Sequence, residues 1–211
     1  MVYNFGIYED GKHKAKKNGK HTKEYLVWHS MISRCYNKNY HGSDNYENIK
    51  ICDEWKYFQN FANWFNDNYY ELNEESIVLE KDFKTFAYGL DKIYSPQNCM
   101  FLPQSLNKTI TFQHNVKRNL PVGVRLSCNK NKPYTIQQIC KDYSRVIFET
   151  KEEAYEKYLE LTYDRLYKYI EKYKSKIPFE NINVIKDFIY NDSLREMHKM
   201  QCLISKPKGQ R

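Results

Sequence analysis

Four side chains in the middle of this sequence carry oxygens that can hold a cation. Glu80 and Asp82 have carboxylates, and Asn98 and Asn107 have amides. These ligand types suit a hard divalent ion such as Mg²⁺ or Mn²⁺. The same residue types also cap helices and shape turns, and Asn98 follows Ser-Pro-Gln, a sequence typical of a turn. Residue type alone therefore leaves a metal site and a structural role both open.

The cysteines argue against zinc and against disulfides. Six are present, at positions 35, 52, 99, 128, 140 and 202, and no two form a Cys-x-x-Cys pair. Without such spacing, neither a zinc ribbon nor a disulfide framework is supported, and we expect no zinc. A zinc held by Cys35, Cys52, Cys99 and a histidine draws no support from the spacing. We expect reduced thiols in an intracellular protein.

The charge pattern suggests a polyanionic partner. The chain has 34 Lys plus Arg and 26 Asp plus Glu, for a net charge of +8. Residues 1–43 carry a net +5, residues 44–92 a net −6 and residues 93–151 a net +7. Two basic segments around an acidic one are expected when the flanks contact phosphate. The basic run 11–23 is either a solvated loop or a phosphate-contacting arm.

The first half of the chain predicts helices followed by a short strand–loop–strand–helix unit. Thr22 predicts the start of a helix over 23–36, and Asp53 predicts the cap of a second helix. Apolar residues recur at helical spacing in both: Tyr25, Trp28, Met31 or Ile32, and Cys35, then Trp55, Phe58, Ala62 and Phe65. Beyond them we predict a strand over 76–83, a strand over 99–102 and a helix from Pro103 to Ile110.

The second half predicts a small sheet and a long helix. After a linker over 111–121, three short strands are predicted at 122–127, 132–140 and 143–148. Thr150 and Glu153 form a capping box for a helix over about 151–174. One or two further helices are predicted over 181–204, before a basic tail. No apolar run is long enough for a membrane span and no signal peptide is apparent, so we expect no membrane partner.

The first half resembles the HNH endonucleases of bacteriophages. The similarity rests on these residues in order: Trp28, Met31, Arg34-Cys35-Tyr36-Asn37, Ile51-Cys52-Asp53-Glu54-Trp55, Phe58, Phe61, Leu79-Glu80-Lys81-Asp82, Tyr94-Ser95-Pro96-Gln97-Asn98-Cys99, Phe101, Pro103 and Asn107. The resemblance implies a ββα-metal core, in which one divalent ion binds the scissile phosphate while a histidine activates water.

The same resemblance implies roles for individual residues. Glu80 and Asn107 match metal ligands, Asp82 is a further ligand or base, and Asn98 matches the residue that braces the loop. Lys81 stands where the family has its catalytic histidine. A lysine near its ordinary pKa of about 10.4 is a poor base at neutral pH, so Lys81 is expected to touch the scissile phosphate instead.

The second half resembles the Apetala-type, or ethylene-response-factor, DNA-binding domain that often follows such nucleases. The matching residues are Leu120-Pro121-Val122-Gly123-Val124, Phe148-Glu149-Thr150, Glu152-Glu153-Ala154 and Tyr158. This implies a sheet whose face enters the DNA major groove. Strand alternation selects five base-contacting candidates: Arg125, Ser127, Tyr134, Gln138 and Arg145. Candidates for phosphate contact are Lys117, Arg118, Lys130, Lys132 and Lys141.

Together these features predict an α+β protein: an HNH-like ββα-metal core with N-terminal helices, then a three-stranded antiparallel sheet on a long helix, then C-terminal helices. The expected domains are 1–112, 113–176 and 177–211. The expected function is a Mg²⁺- or Mn²⁺-dependent endonuclease or nickase of the phage homing type, acting on double-stranded DNA. The alternative is an inactive core in a DNA-binding regulator, or in an inhibitor of a host nuclease or defence protein. Either would work in the cytoplasm of a phage-infected bacterium.

Overall fold

A computed structural model of the chain describes residues 1–40, 46, 49–110, 120–136 and 146–204, with side chains as far as residue 200. Within these ranges the chain forms seven α-helices and several small, separate sheets. The predicted α+β class is therefore confirmed. The chain divides into two compact units, Met1–Leu102 and Pro103–Arg211. The predicted domain limits at residues 112 and 176 stay predictions.

The first unit is built from short elements around one aromatic core. In chain order they are β1 (Lys16–Lys17), β2 (Lys20–His21), α1 (Lys23–Tyr36), β3 (Lys50–Ile51), a 3₁₀ turn (Asp53–Lys56), α2 (Phe58–Asn68), β4 (Ile77–Glu80), α3 (Asp82–Tyr88), β5 (Ile93–Tyr94) and β6 (Met100–Pro103), whose last residue belongs to the second unit. β1 pairs antiparallel with β2, β3 pairs parallel with β5, and β4 pairs with β6.

The core of this unit follows the apolar stripes of α1 and α2. Trp28, Met31 and Ile32 on α1, and Phe58 and Phe61 on α2, are fully buried. The Trp28 indole donates a hydrogen bond of 2.8 Å to the main-chain carbonyl of Trp55, so its polar atom is satisfied inside the core. The helical periodicity of the sequence thus identified both buried faces.

Three local predictions need correction. The helix expected from Asp53 is interrupted, because Asp53–Lys56 is a 3₁₀ turn and α2 begins at Phe58. The strand expected over 76–83 ends at Glu80, and α3 occupies the stretch expected as loop. Gly89 ends α3 with a φ of +63°, a C-terminal cap that favours glycine. Pro103 closes β6 instead of opening a helix.

The second unit holds a three-stranded sheet and four helices within its described residues. The elements are α4 (Gln104–Ile110), β7 (Val124–Leu126), β8 (Tyr134–Ile136), β9 (Ile147–Phe148), α5 (Lys151–Tyr173), α6 (Phe179–Tyr190) and α7 (Ser193–Ile204). The sheet order is β7-β8-β9, all antiparallel, and each strand packs against α5. A sheet backed by a long helix was the prediction for this region, and it is confirmed.

The start of α5 is fixed by the capping box that the sequence predicted. The Thr150 hydroxyl accepts a hydrogen bond from the Glu153 main-chain N–H, and the Glu153 side chain accepts one from the Thr150 N–H. Two N–H groups that a helix start leaves unpaired are thereby satisfied. Among the helices within the described residues, none is both long and apolar enough to cross a membrane.

Candidate functional site

Glu80 and Asp82 lie where β4 ends and α3 begins. Glu80 is the last residue of the strand and is 4% exposed. One of its carboxylate oxygens accepts a hydrogen bond of 2.7 Å from the Asp82 N–H, and the other accepts one of 3.0 Å from the Phe83 N–H. The carboxylate therefore caps the first turn of α3 with both of its oxygens.

The burial of Glu80 changes its titration. Burial first, and the negative charge of Asp82 second, raise the pKa of its carboxyl to about 7, although the two main-chain N–H bonds and Lys81 act in the opposite direction. Desolvation outweighs hydrogen bonding here because a buried carboxylate loses its hydration on all sides. Near neutral pH, Glu80 therefore contributes less than a full negative charge.

Lys81 is a buried cation. The residue is 6% exposed, and its ammonium donates a hydrogen bond of 2.5 Å to Asp82 Oδ1. Burial lowers its pKa, but the charge and hydrogen bond of Asp82 outweigh burial, so the net pKa is raised. Lys81 stays protonated at neutral pH and cannot serve as a general base there. Its expected contact with a scissile phosphate stays a prediction.

Two further cations interact with the surroundings of the Lys81–Asp82 pair. The ring of Tyr94, 2% exposed, is approached by Lys81 Nζ at 5.7 Å and by Arg34 Cζ at 5.4 Å from its centroid. Lys92 is partly buried, and its lowered pKa is due first to burial, with Lys81 also lowering it and Asp82 raising it. We call Arg34, Lys81 and Lys92 the cation cluster. Near it lie the Asp82 side chain, which accepts from Lys81, and Glu80, whose raised pKa reduces its negative charge near neutral pH.

Arg34 is held in the cation cluster by aromatic rings and a main-chain carbonyl. Its guanidinium lies over the rings of Tyr94 and Tyr46 and donates to the Ser30 carbonyl at 3.4 Å. It makes no ion pair within the described part of the chain. An arginine held by aromatic rings keeps its charge and most of its donors available to a ligand.

Asn98 holds the loop before β6 in shape. Its side-chain amide donates a hydrogen bond of 2.6 Å to the Asp91 carbonyl, and its main-chain N–H donates to the Ser95 hydroxyl at 3.3 Å. Asn98 is 5% exposed, so these bonds are formed away from water. These bonds hold the loop in shape, and the role of Asn98 in a nuclease site stays a prediction.

The contacts of the described residues oppose a divalent metal ion at Glu80 and Asp82, and the expected Mg²⁺ or Mn²⁺ stays a prediction. Glu80 uses both oxygens on main-chain N–H groups, Asp82 is neutralised by Lys81, and the cation cluster repels a second positive charge. Among the described residues, no group of three His, Cys, Asp or Glu side chains is placed to hold a metal. Asn107 lies on α4 of the second unit, and its assignment as a ligand stays a prediction.

The cysteines of the first unit behave as buried thiols. Burial raises the pKa of Cys35 to about 11, and it also raises the pKa of the fully buried Cys99. Cys52 is partly buried, and burial raises its pKa too. A thiol with a raised pKa is a weak nucleophile and a weak metal ligand at neutral pH, as expected for a packing role.

The three-stranded sheet presents Arg125 to solvent. Arg125 lies at the centre of β7, is exposed, and pairs across the ladder with Thr135. Tyr134 pairs instead with Leu126 and Phe148. Because opposed residues share a face and neighbours along a strand alternate, Tyr134 lies on the other face from Arg125. The expectation that alternation places these two on one face is therefore wrong.

The turn between β7 and β8 carries the other described candidates. The Ser127 hydroxyl accepts from the Asn129 N–H at 3.2 Å, so it shapes this turn. Lys130 and Lys132 are exposed, and Lys132 lies 3.9 Å from Glu149. Five predicted DNA-contacting residues fall outside the described residues: Lys117, Arg118, Gln138, Lys141 and Arg145.

Sequence reasoning missed part of this site. Arg34 and Tyr94 belong to the motifs that carried the HNH resemblance, but nothing in their spacing predicted that they would meet around Lys81. Asn18-Gly19, a strong signal for a two-residue β-hairpin, lies within the basic run 11–23 and was not used. Comparisons of the chain with protein-family models, curated proteins and solved structures find no match.

Proposed function

We propose that this protein binds double-stranded DNA, and that its first unit grips a backbone phosphate with the cation cluster in place of a divalent ion. The observation that carries the proposal is the pair of cations over the Tyr94 ring, Arg34 and Lys81. Lys92 interacts electrostatically with Lys81 and Asp82, and the pKa of the neighbouring Glu80 carboxyl is raised to about 7, which reduces the negative charge that opposes these cations. An excess of fixed positive charge in a partly buried setting favours an anion.

The cluster suits a phosphodiester better than an isolated carboxylate. Arg34 offers a planar guanidinium already oriented by the rings of Tyr94 and Tyr46, so little side-chain freedom is lost when it binds. Lys81 is held by Asp82 and supplies a fixed point charge. A planar donor set beside a point charge matches the spread-out charge of a phosphate.

The exposed sheet of the second unit supplies the proposed sequence preference. Arg125 projects from the centre of β7, with no acidic partner within the described residues. An arginine there can pair with the major-groove edge of guanine, while Lys130 and Lys132 on the adjoining turn are suited to phosphate. Base reading and phosphate contact are therefore assigned to different residues, and they can be tested separately.

A metal-dependent HNH-like endonuclease or nickase of the phage homing type is the second candidate. The observation that favours it is that Glu80 and Asp82 stand side by side at the end of β4, beside the cation cluster. For cleavage, a divalent ion must displace the Lys81 ammonium from Asp82. Because the Lys81–Asp82 hydrogen bond is present in the structure, a catalytically inactive core is better supported than an active one. A protein with such a core could act as a DNA-binding regulator or as an inhibitor of a host nuclease or defence protein.

Fluorescence anisotropy with a labelled duplex tests DNA binding. Arg34→Gln should reduce affinity about tenfold and lower the slope of log K against log salt by about 0.9, the value for one lost phosphate contact. Lys50→Gln, an exposed lysine of the same unit, is the matched control and should change little. Arg125→Ala should reduce discrimination between duplexes by roughly 1–3 kcal/mol. A wild-type protein that binds no duplex would defeat the proposal.

A plasmid assay separates the two candidates. Supercoiled plasmid is incubated with the protein and Mg²⁺ or Mn²⁺, alongside a Lys81→Met/Asp82→Asn variant that removes the ion pair without leaving a buried charge alone. Tight binding without nicking supports the inactive core. Metal-dependent nicking that disappears in the variant establishes the endonuclease instead.

A further inference from the structure

The basic run near the N-terminus forms an anchored β-hairpin. β1 and β2 are joined by Asn18 and Gly19, both with positive φ, 52° and 76°. Positive φ at both central residues is the geometry of a type I′ turn, which matches the natural twist of paired strands. Lys17 and Lys20 flank the turn and face each other across the ladder.

The base of the hairpin is fixed to the first unit. The Thr22 N–H donates to the Ala15 carbonyl at 3.0 Å, and the Thr22 hydroxyl donates to the Lys14 carbonyl at 2.9 Å. The His21 ring stacks on Tyr25 with centroids 4.9 Å apart and planes 13° from parallel. Since His21 is opposite Lys16, these two share the face that turns toward Tyr25.

The other face of the hairpin carries an unfavourable charge pair. Lys17 and Lys20 are directly opposed and exposed, and neither forms an ion pair with any residue that the structure describes. Like charges directly across a ladder destabilise it. The basic run 11–23 itself contains no acidic residue, and Asp10, just before it, is paired with Lys14. An anion between the two ammonium groups would remove the repulsion.

We infer that this hairpin is a second DNA-contacting element, whose Lys17 and Lys20 clamp one phosphate of a duplex backbone. The inference rests on the proposed function for the choice of polyanion. A two-stranded ribbon that is already fixed at its base loses little conformational entropy when its outer face binds a polyanion.

The test is the salt dependence of duplex binding by Lys17→Gln/Lys20→Gln. Loss of the two lysines that hold this one phosphate should lower affinity about tenfold or more and reduce the slope of log K against log salt by about 0.9. The matched control, Lys168→Gln/Lys186→Gln, removes two exposed lysines from α5 and α6 and should leave both values nearly unchanged. Thermal melting checks folding, and the hairpin variant should melt at the wild-type temperature or slightly above it.

The possible results separate this inference from the proposed function. Suppose that the wild type binds duplex, that Arg34→Gln or Arg125→Ala weakens this binding, and that the hairpin variant does not. This result overturns the hairpin inference alone. Weakening by the hairpin variant alone supports the clamp and overturns the assigned roles of Arg34 and Arg125. Absence of duplex binding by the wild type overturns both. Equal hairpin-dependent binding to single-stranded RNA or to anionic phosphatidylserine vesicles also overturns the inference, because a duplex would then not be the preferred partner.

Discussion

The ammonium of Lys81 and the carboxylate of Asp82 form an ion pair in which only one partner reaches water. The Lys81 side chain is 7% exposed and that of Asp82 is 36% exposed, with 2.5 Å between Lys81 Nζ and Asp82 Oδ1. The more exposed Asp82 carboxylate therefore compensates the positive charge of the buried Lys81 ammonium. This asymmetry decides which substitution harms the protein.

Asp82→Asn should destabilise the fold, because it leaves the buried Lys81 ammonium without its counter-charge. We expect a loss of about 3 kcal/mol in the free energy of unfolding, measured by urea denaturation. Lys81→Met should cost much less, since Asp82 can be solvated. Adding Lys81→Met to Asp82→Asn should recover most of the loss. Additive effects of the two substitutions would show that the pair does not couple them.

The stability of the protein should depend on pH through Glu80. Its carboxyl has an ordinary pKa of 4.5 in the unfolded chain and a pKa raised to about 7 in the fold, chiefly by burial. The folded state thus holds this proton more tightly, so the contribution is fully present below pH 4.5 and is lost as the pH rises to about 7. The loss should reach up to about 3 kcal/mol.

Urea unfolding at several pH values between 4.5 and 7.5 measures this effect, and Glu80→Gln isolates it from the histidines. The amide cannot titrate, so the fall between pH 4.5 and 7 should be reduced in Glu80→Gln compared with the wild type. Parallel profiles for the two proteins would contradict the assignment of the raised pKa to Glu80.

Asn98→Ala should loosen the loop between α3 and β6. It removes the hydrogen bond to the Asp91 carbonyl, and the loss should cost about 1–3 kcal/mol because the groups are buried. Asn68→Ala is a matched control, since Asn68 also donates to a main-chain carbonyl, that of Trp64, but at an exposed position. Thermal melting of the two variants provides the comparison. Equal losses of stability in the two variants would show that burial does not make the Asn98 hydrogen bond contribute more than an exposed one.

Gly123→Ala should be strongly destabilising in the second unit. Gly123 has a φ of +77°, and a Cβ there would lie 2.3 Å from the Tyr158 ring of α5. Left-handed strain alone costs about 1–2 kcal/mol, and displacing a buried ring adds to it, for about 3 kcal/mol in total. Gly89→Ala has similar strain but open space and should cost only about 1 kcal/mol. Similar losses for both would mean that the Tyr158 contact carries no weight.

Local sequence pattern was enough to predict helices α1 and α5, the buried face of α2 and much of the core. The stripes of α1 and α2 and the capping box of α5 depend on residues within one or two turns of each other, so periodicity and cap chemistry identified them. Prediction was weaker between β4 and β6. Phe83 and Ala87 are apolar in a short stretch that fits either a strand or a helix, and the structure chooses helix α3, with Glu80 as its cap.

The sequence by itself determined the charge surplus, the apolar helix faces and the presence of Glu80, Lys81, Asp82 and Asn98, since each depends on residue identity and near neighbours. Only the tertiary structure decided what those groups do. It brought Arg34 and Tyr94, sixty positions apart in the chain, to Lys81, and it turned both oxygens of Glu80 toward main-chain N–H groups. Charge balance and available lone pairs depend on distances through space, and contacts between remote segments set those distances.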